Sequence, residues 1–233
     1  GVIKYVSIRH GGTDIGSGNE INGLTLGGVG RGTVIDYVEV FNNNDDGFEW
    51  FGGTVSCKHL ISAFNMDDAF DHDEGLQCKM QFLLAIQDEA SGNHCGEHDG
   101  GTEPEDGTPY AHPVIYNATY LGSGKNSSNS DNDIMFKLRD NWGGEYNNCI
   151  FGDFPGIGMD VEDLESGADS KERMDNGEIE FKNNIWFDFG GASDLSSLGK
   201  HAWESAYLTD AANGNVMTDP QLSGISRTGD KGL

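Results

Sequence analysis

Two acidic stretches hold the densest set of chemically able side chains in this sequence. They read NNNDDGFEWFGG (residues 42–53) and NMDDAFDHDEG (residues 65–75). With their acidic pairs aligned, Asp45-Asp46 meets Asp67-Asp68, Phe48 meets Phe70 and Glu49 meets Asp71, all at one common offset. Asp45, Asp46, Glu49, Asp67, Asp68, Asp71 and Asp73 therefore fall at one point of a repeating unit. Like charges brought that close repel. A Ca²⁺ ion takes roughly six to eight oxygen ligands and would neutralise them, so these residues form a candidate Ca²⁺ site. The bland alternative is a solvated turn in which Asn and Asp cap the backbone. No EF-hand loop is present, and GGVGRGT (27–33) lacks the Asp of the glycine-rich Ca²⁺-binding repeat, so any such site must be assembled by stacking.

Other groups could act alongside these acids. Paired carboxylates hydrolyse glycosides. NNNDDGFE resembles the Asn-x-Asp-Gly turns of β-helical polygalacturonases, but only there, and KLRD (137–140) is a weak match to their basic element. A polysaccharide lyase would need Ca²⁺ on a uronate carboxylate and a basic side chain to take the α-proton. Arg139, Lys137, Lys58 and Lys79 are the available bases.

NHCGEHDG (93–100) gathers His94, Cys95, Glu97, His98 and Asp99, dense enough for zinc or copper. The flanking Gly92, Gly96 and Gly100 favour a polar loop instead, with Cys95 in a disulfide for which Cys149 is a candidate partner. The dipeptides Cys57-Lys58 and Cys78-Lys79 lie one period apart, and on stacked strands the two cysteines would be neighbours near disulfide distance. Trp50, beside Glu49, and Trp142, in NWGGEY (141–146), could line a carbohydrate groove; packing in the core is the competing fate of a tryptophan.

The elements that must position these residues are short and repetitive. VIDYVEVFNNNDDGFE (34–49) lies over SCKHLISAFNMDDAFD (56–71), and the GTV at 32–34 recurs as the GTV at 53–55. Further β-rich runs end in Asn, Asp or Gly: HPVIYNATYLGSG (112–124), EYNNCIFGDFPG (145–156) and IEFKNNIWFDFGG (179–191). A period of about 21–22 residues predicts a β-solenoid, with parallel strands stacked about 4.8 Å apart. A leucine-rich repeat fits poorly, because no helical period exists to build its convex side. The acidic pairs recur one position later than the GTV and Cys-Lys elements do, and a one-residue slip exchanges the faces of a strand. Which of Cys57, Lys58 and His59 points inward is left open. Residues 88–111 break the period and read as a long polar loop, and 160–177 as an irregular segment holding one short helix or another loop.

Bulk properties narrow the class. Lys+Arg total 14 against Asp+Glu 39, a formal net charge of −25, which disfavours nucleic acid and anionic membranes as partners. Hydrophobic residues at 36% and aromatics at 10% argue for a folded chain. Glycine, at 35 residues against 5 prolines, falls in pairs after short apolar runs, as at Gly11-Gly12, Gly52-Gly53 and Gly190-Gly191, and marks tight turns. No apolar run approaches the roughly 18–20 residues that span a bilayer. The sequence opens inside a repeat, which predicts a piece of a longer precursor.

NEINGLTLGGVGRGTVIDYVEVFNNNDDGFEWFGGTVSCKHLISAFNMDDAFDHDEG (19–75) resembles a group of secreted or surface-anchored bacterial proteins of the pectate-lyase-like type. The resemblance implies a right-handed parallel β-helix and an extracellular or cell-surface address, and no particular reaction. The expectation is therefore one β-helix domain over 1–233, Ca²⁺-bound and disulfide-linked. Its leading role is binding a polysaccharide or another surface component. The alternatives are a Ca²⁺-dependent polysaccharide lyase or glycoside hydrolase, and a purely structural solenoid in a surface assembly. An uncapped solenoid end could pack against another chain.

Overall fold

A computed structural model of the chain describes residues 1–16, 21–101 and 104–227. Residues 19–20 of the resembling run, 102–103 of the expected loop and 228–233 of the expected domain lie outside the described residues. In chain order the first strands are β1 (Val2–Arg9), β2 (Leu24–Gly27), β3 (Val34–Phe41), β4 (Phe48–Phe51), β5 (Cys57–Ala63), β6 (Phe70–Asp73), β7 (Lys79–Ile86) and β8 (Gly96–Asp99). They continue as β9 (Val114–Tyr116), β10 (Thr119–Leu121), β11 (Ile134–Arg139), β12 (Glu145–Asn147), β13 (Ile150–Phe154), β14 (Ile157–Val161), β15 (Glu180–Lys182), β16 (Ile185–Phe189) and β17 (Val216–Met217).

These strands form two sheets. One is ordered β2-β4-β6-β8-β11-β14, and the larger one carries the remainder. The pairings are parallel throughout. The chain passes repeatedly from the larger sheet to the smaller one and back, with β9–β10, β12–β13 and β15–β16 each a consecutive pair in the larger sheet, so each circuit adds one rung: this is a parallel β-helix, as expected. Successive rungs bury one another's inward side chains, and this stacking replaces the core that a single short rung could not build.

One corner of every rung is made by a single residue in the left-handed region. Tyr5, Tyr37, His59, Phe82, Asn117, Asn148 and Asn183 have φ of 54°, 54°, 52°, 61°, 57°, 57° and 58°. Asn tolerates this conformation because its short polar side chain bonds locally; for an aromatic it costs roughly 1–2 kcal/mol. Stacking offsets part of that cost. Ring centroids lie 5.0 Å apart for Tyr5–Tyr37, 4.2 Å for Tyr37–His59 and 5.1 Å for His59–Phe82.

The bend also resets the in–out alternation. Ile35 is buried, Tyr37 is the bend, and Val38 and Val40 are buried after it. Cys57 therefore points inward and Lys58 outward, while His59 is the corner. The interior is aromatic. Phe48 stacks on Phe70 at 5.4 Å with Trp50 against both, and Phe136, Tyr146, Phe151 and Trp186 are fully buried in later rungs. Burying such side chains stabilises the fold by about 1.5–3 kcal/mol each.

Two short helices follow: α1 (Ser170–Asp175), inside the segment expected to be irregular, and α2 (Ala202–Thr209). The Asp169 carboxylate caps α1, accepting the Glu172 N–H at 2.7 Å. The expectation of one loop over 88–111 needs correction, because β8 lies inside it. The glycines that suggested a loop there serve close packing. A Cβ on Gly96 would sit 2.5 Å from His98 Nε2, and one on Gly100 would sit 2.3 Å from the backbone of Asn141.

Candidate functional site

The outer face of the six-stranded sheet collects the charged residues. In β4, Phe48 and Trp50 point into the helix, so Glu49 and Phe51 point out. Register then builds one outward column of Glu49, Asp71, Glu97, Lys137 and Asp160. Beside it Phe51 pairs with Asp73, and Asp99 with Arg139. Stacking alone thus brings together acids separated by a full rung of sequence.

The adjoining corner supplies the acidic pairs. Asp46 accepts the backbone N–H of Asp68 at 3.0 Å, and Asp68 in turn accepts that of His94 at 2.5 Å. Capping accounts for Asp68. It also uses one oxygen of Asp46, but leaves the crowding unexplained: ligand atoms of Asp46, Glu49 and Asp71 lie within 4.8 Å of one another, as do those of Asp45, Asp46 and Asp67. Asp46 belongs to both groups. Asp71 is 8% exposed, and its Oδ1 is shielded from solvent without a hydrogen-bond donor. Asn22 donates to the Glu49 carboxylate at the edge of the site.

Electrostatics follow from this crowding. Burial, then repulsion from Asp67, Asp45 and Glu49, raises Asp46 well above the usual carboxylate range. Asp68 and Asp71 are raised for the same two reasons. Burial and the charge of Asp45 push Glu49 up to about 7, and burial with Asp99 and Glu49 pushes Asp73 to about 8. A divalent cation ligated by oxygens would relieve both the burial and the repulsion. The all-oxygen donor set and the donorless oxygen of Asp71 fit Ca²⁺.

Cationic side chains complete the face. Arg139 Nε donates to Asp99 at 2.7 Å, with its NH1 3.3 Å from Glu97. Lys137 pairs with Asp160, and Lys200 reaches the same carboxylate oxygen at 2.7 Å. Of the four candidate bases, Arg139 and Lys137 stand beside the acids. Lys58 and Lys79 lie on or beside the larger sheet, with Ser56, Gln81 and Tyr116. Glu97, Asp99 and Asp160 are the site residues that sequence reasoning missed. Glu97 and Asp99 sat among candidate zinc ligands, and their alternation about His98 was the available signal.

Several expectations are corrected. Trp50 and Trp142 are fully buried and cannot line a carbohydrate groove. Cys57, Cys78, Cys95 and Cys149 are buried free thiols. Cys57 is in register with Ile35 and Met80, not with Cys78, because the rung that starts at Cys57 is longer than the repeat of the Cys-Lys dipeptide. The His/Cys group is split by the strand. His98 faces the core, where Tyr146 OH lies 2.7 Å from its Nε2, while Glu97 faces out. Among the described residues, no metal-competent cluster includes His94, Cys95 or His98.

The rung architecture agrees with a match of residues 1–220 to the pectate-lyase-like β-helix domain model. The chain belongs to the pectate-lyase-like β-helix family. No curated protein and no solved structure matches it. Family membership carries the fold, so function in this pectate-lyase-like chain must be argued from its own face. No helix among the described residues is long and apolar enough to cross a membrane.

Proposed function

We propose that this chain is an extracellular or cell-surface β-helix that binds an acidic polysaccharide through Ca²⁺ on the outer face of the six-stranded sheet. The observation that carries this reading is the convergence of Asp46, Glu49 and Asp71 within 4.8 Å, with Arg139 and Lys137 on the same face. A chain of formal charge −25 repels a polyanion, and a bound cation reverses that locally. A uronate carboxylate would bridge the Ca²⁺, and Arg139 would clamp a second anionic group. Glu97 and Asp99 hold Arg139 in its charged form, so it serves as a clamp rather than a base.

A polysaccharide lyase is the second reading, favoured by Lys137 lying in the acidic column. In β-elimination Lys137 would have to leave Asp160 and shed a proton to solvent before taking the proton α to the uronate carboxylate. The glycosidic C–O bond would break, a C=C bond would form, and the leaving oxygen would be protonated by solvent.

Titration calorimetry with polygalacturonate in Ca²⁺ and in EGTA tests the first reading. Binding in Ca²⁺ that EGTA abolishes, and that Glu49→Gln or Asp71→Asn weakens, is expected. Equal behaviour in the two buffers would overturn it. Ultraviolet absorbance of an unsaturated product separates elimination from binding alone.

A further inference from the structure

A second set of carboxylates meets at the next corner, where the chain leaves the six-stranded sheet. Glu105 comes from the connection between β8 and β9, Asp140 follows β11, and Glu162 follows β14. One ligand atom from each lies within 4.8 Å of the others. Asp140 takes a left-handed φ of 50°, and its N–H donates to Glu162 Oε2 at 3.0 Å. Among the described residues no lysine or arginine pairs with any of the three, since the neighbouring Arg139 is engaged by Glu97 and Asp99.

Two buried oxygens point to a missing electropositive partner. Glu105 Oε1 is shut off from solvent without a donor. Asn141, 2% exposed, lays its amide against the same segment, donating through Nδ2 to the Glu105 carbonyl at 3.5 Å. The Oδ1 of that amide also has no donor. A buried acceptor left unsatisfied is costly, and two on neighbouring segments of this corner call for a ligand. Burial raises both Asp140 and Glu162, with repulsion from Asp99 and Glu105 added at Asp140 and from Asp140 and Glu105 at Glu162.

We propose that Glu105, Asp140, Glu162 and Asn141 hold a divalent cation of the Ca²⁺ class, independent of the site at Asp46, Glu49 and Asp71. Oxygen donors alone favour a hard cation over zinc. The ligands come from three successive connections, so the ion would pin the segment around Glu105 to the rung corner. It would act as a structural staple.

Equilibrium dialysis with radioactive Ca²⁺ tests this on wild type, Glu105→Gln, Glu162→Gln and the double variant Glu49→Gln/Asp71→Asn. Each Gln variant at the corner should lose one ion per chain relative to wild type, and the Glu49/Asp71 variant should retain that ion. Limited proteolysis of wild type provides a readout that needs no variant. Ca²⁺ should slow cleavage within residues 100–113 at least tenfold, also in the Glu49/Asp71 variant. The proposal is overturned if both single variants bind as many ions as wild type, or if Ca²⁺ leaves cleavage of that segment unchanged. A proton shared between carboxylates would give that second result. Loss of polysaccharide binding without loss of this ion would count against the function proposed above and leave this site standing.

Discussion

Asp46 and Asp68 occupy the same position on consecutive rungs, and the carboxylate of Asp46 accepts the backbone N–H of Asp68 at 3.0 Å. One residue type thus serves two purposes. One oxygen ties rung to rung, and the remaining acidity crowds against Asp45, Asp67, Glu49 and Asp71. The acidic pairs recur because the corner recurs, and under the function proposed above a cation would replace the protons that burial and repulsion hold there.

That exchange makes stability depend on pH in a defined direction. Glu49 titrates near 7 and Asp73 near 8 in the fold, whereas unfolded carboxylates titrate near about 4. The folded cluster keeps protons that the unfolded chain gives up. Its contribution is therefore full below about pH 4 and is lost as pH rises through about 7 to 8. In EGTA the melting temperature should fall between about pH 6 and about pH 9, and saturating Ca²⁺ should remove that fall. Ca²⁺ affinity should weaken roughly tenfold from pH 8 to pH 6, because the ion competes with protons. Thermal unfolding and calorimetry at both pH values check this, and a pH-independent melt in EGTA would refute it.

Asp71→Asn separates repulsion from ligation. The substitution removes a buried carboxylate whose Oδ1 has no donor. In EGTA it should raise the melting temperature by about 2–4 °C, the equivalent of about 1 kcal/mol for a chain of this size. In Ca²⁺ it should remove most of the stabilisation the ion provides. Scanning calorimetry of both proteins in both buffers decides, and an unchanged Ca²⁺ shift would place the ion elsewhere.

His72 gives a pH effect of opposite sign. It is fully buried, stacks on His98 at 4.1 Å, and neither ring nitrogen has a partner. Burial pushes it down to about 3. An unfolded histidine titrates near about 6.5, so the unfolded chain binds the proton first and stability is lost as pH falls below that value. His72→Phe should be neutral or stabilising by about 1 kcal/mol at pH 7, and should flatten the loss between about pH 6.5 and about pH 4. His98→Phe should instead destabilise by about 1 kcal/mol, because it strands the Tyr146 hydroxyl. Urea unfolding at the two pH values compares them.

The cysteines should behave as inert core thiols. Burial pushes Cys57 and Cys149 up to about 12 and raises Cys78 and Cys95 as well. The thiolate is the reactive form, so a disulfide reagent such as DTNB should leave the native protein unlabelled and label all four thiols in denaturant. Dithiothreitol should leave the melting temperature unchanged. A drop on reduction would show that disulfides form after all.

The repeat of Asp46 over Asp68, Phe48 over Phe70 and Glu49 over Asp71 was legible in the sequence. Parallel rungs with corners of equal length keep equal residue counts, so the period itself implies the stacking and the acidic column. The fate of Cys57 was not legible. A left-handed residue in mid-rung resets the alternation of faces, and the rung from Ile35 to Cys57 is one residue shorter than the rung from Cys57 to Met80. A one-residue change of that kind decides which side chains meet, as Cys57 meeting Met80 shows.

The sequence by itself determined the solenoid, its acidic corner and its abundance of oxygen ligands, because these depend on local turn chemistry and a short period. Only the tertiary structure decided that Arg139 and Lys137 join Glu97 and Asp99 on one face. It also decided that Glu105, Asp140 and Glu162 converge at a second corner. These groups are brought together across connections of irregular length. Their register is set by the hydrogen-bonded ladder between rungs, which no local pattern encodes.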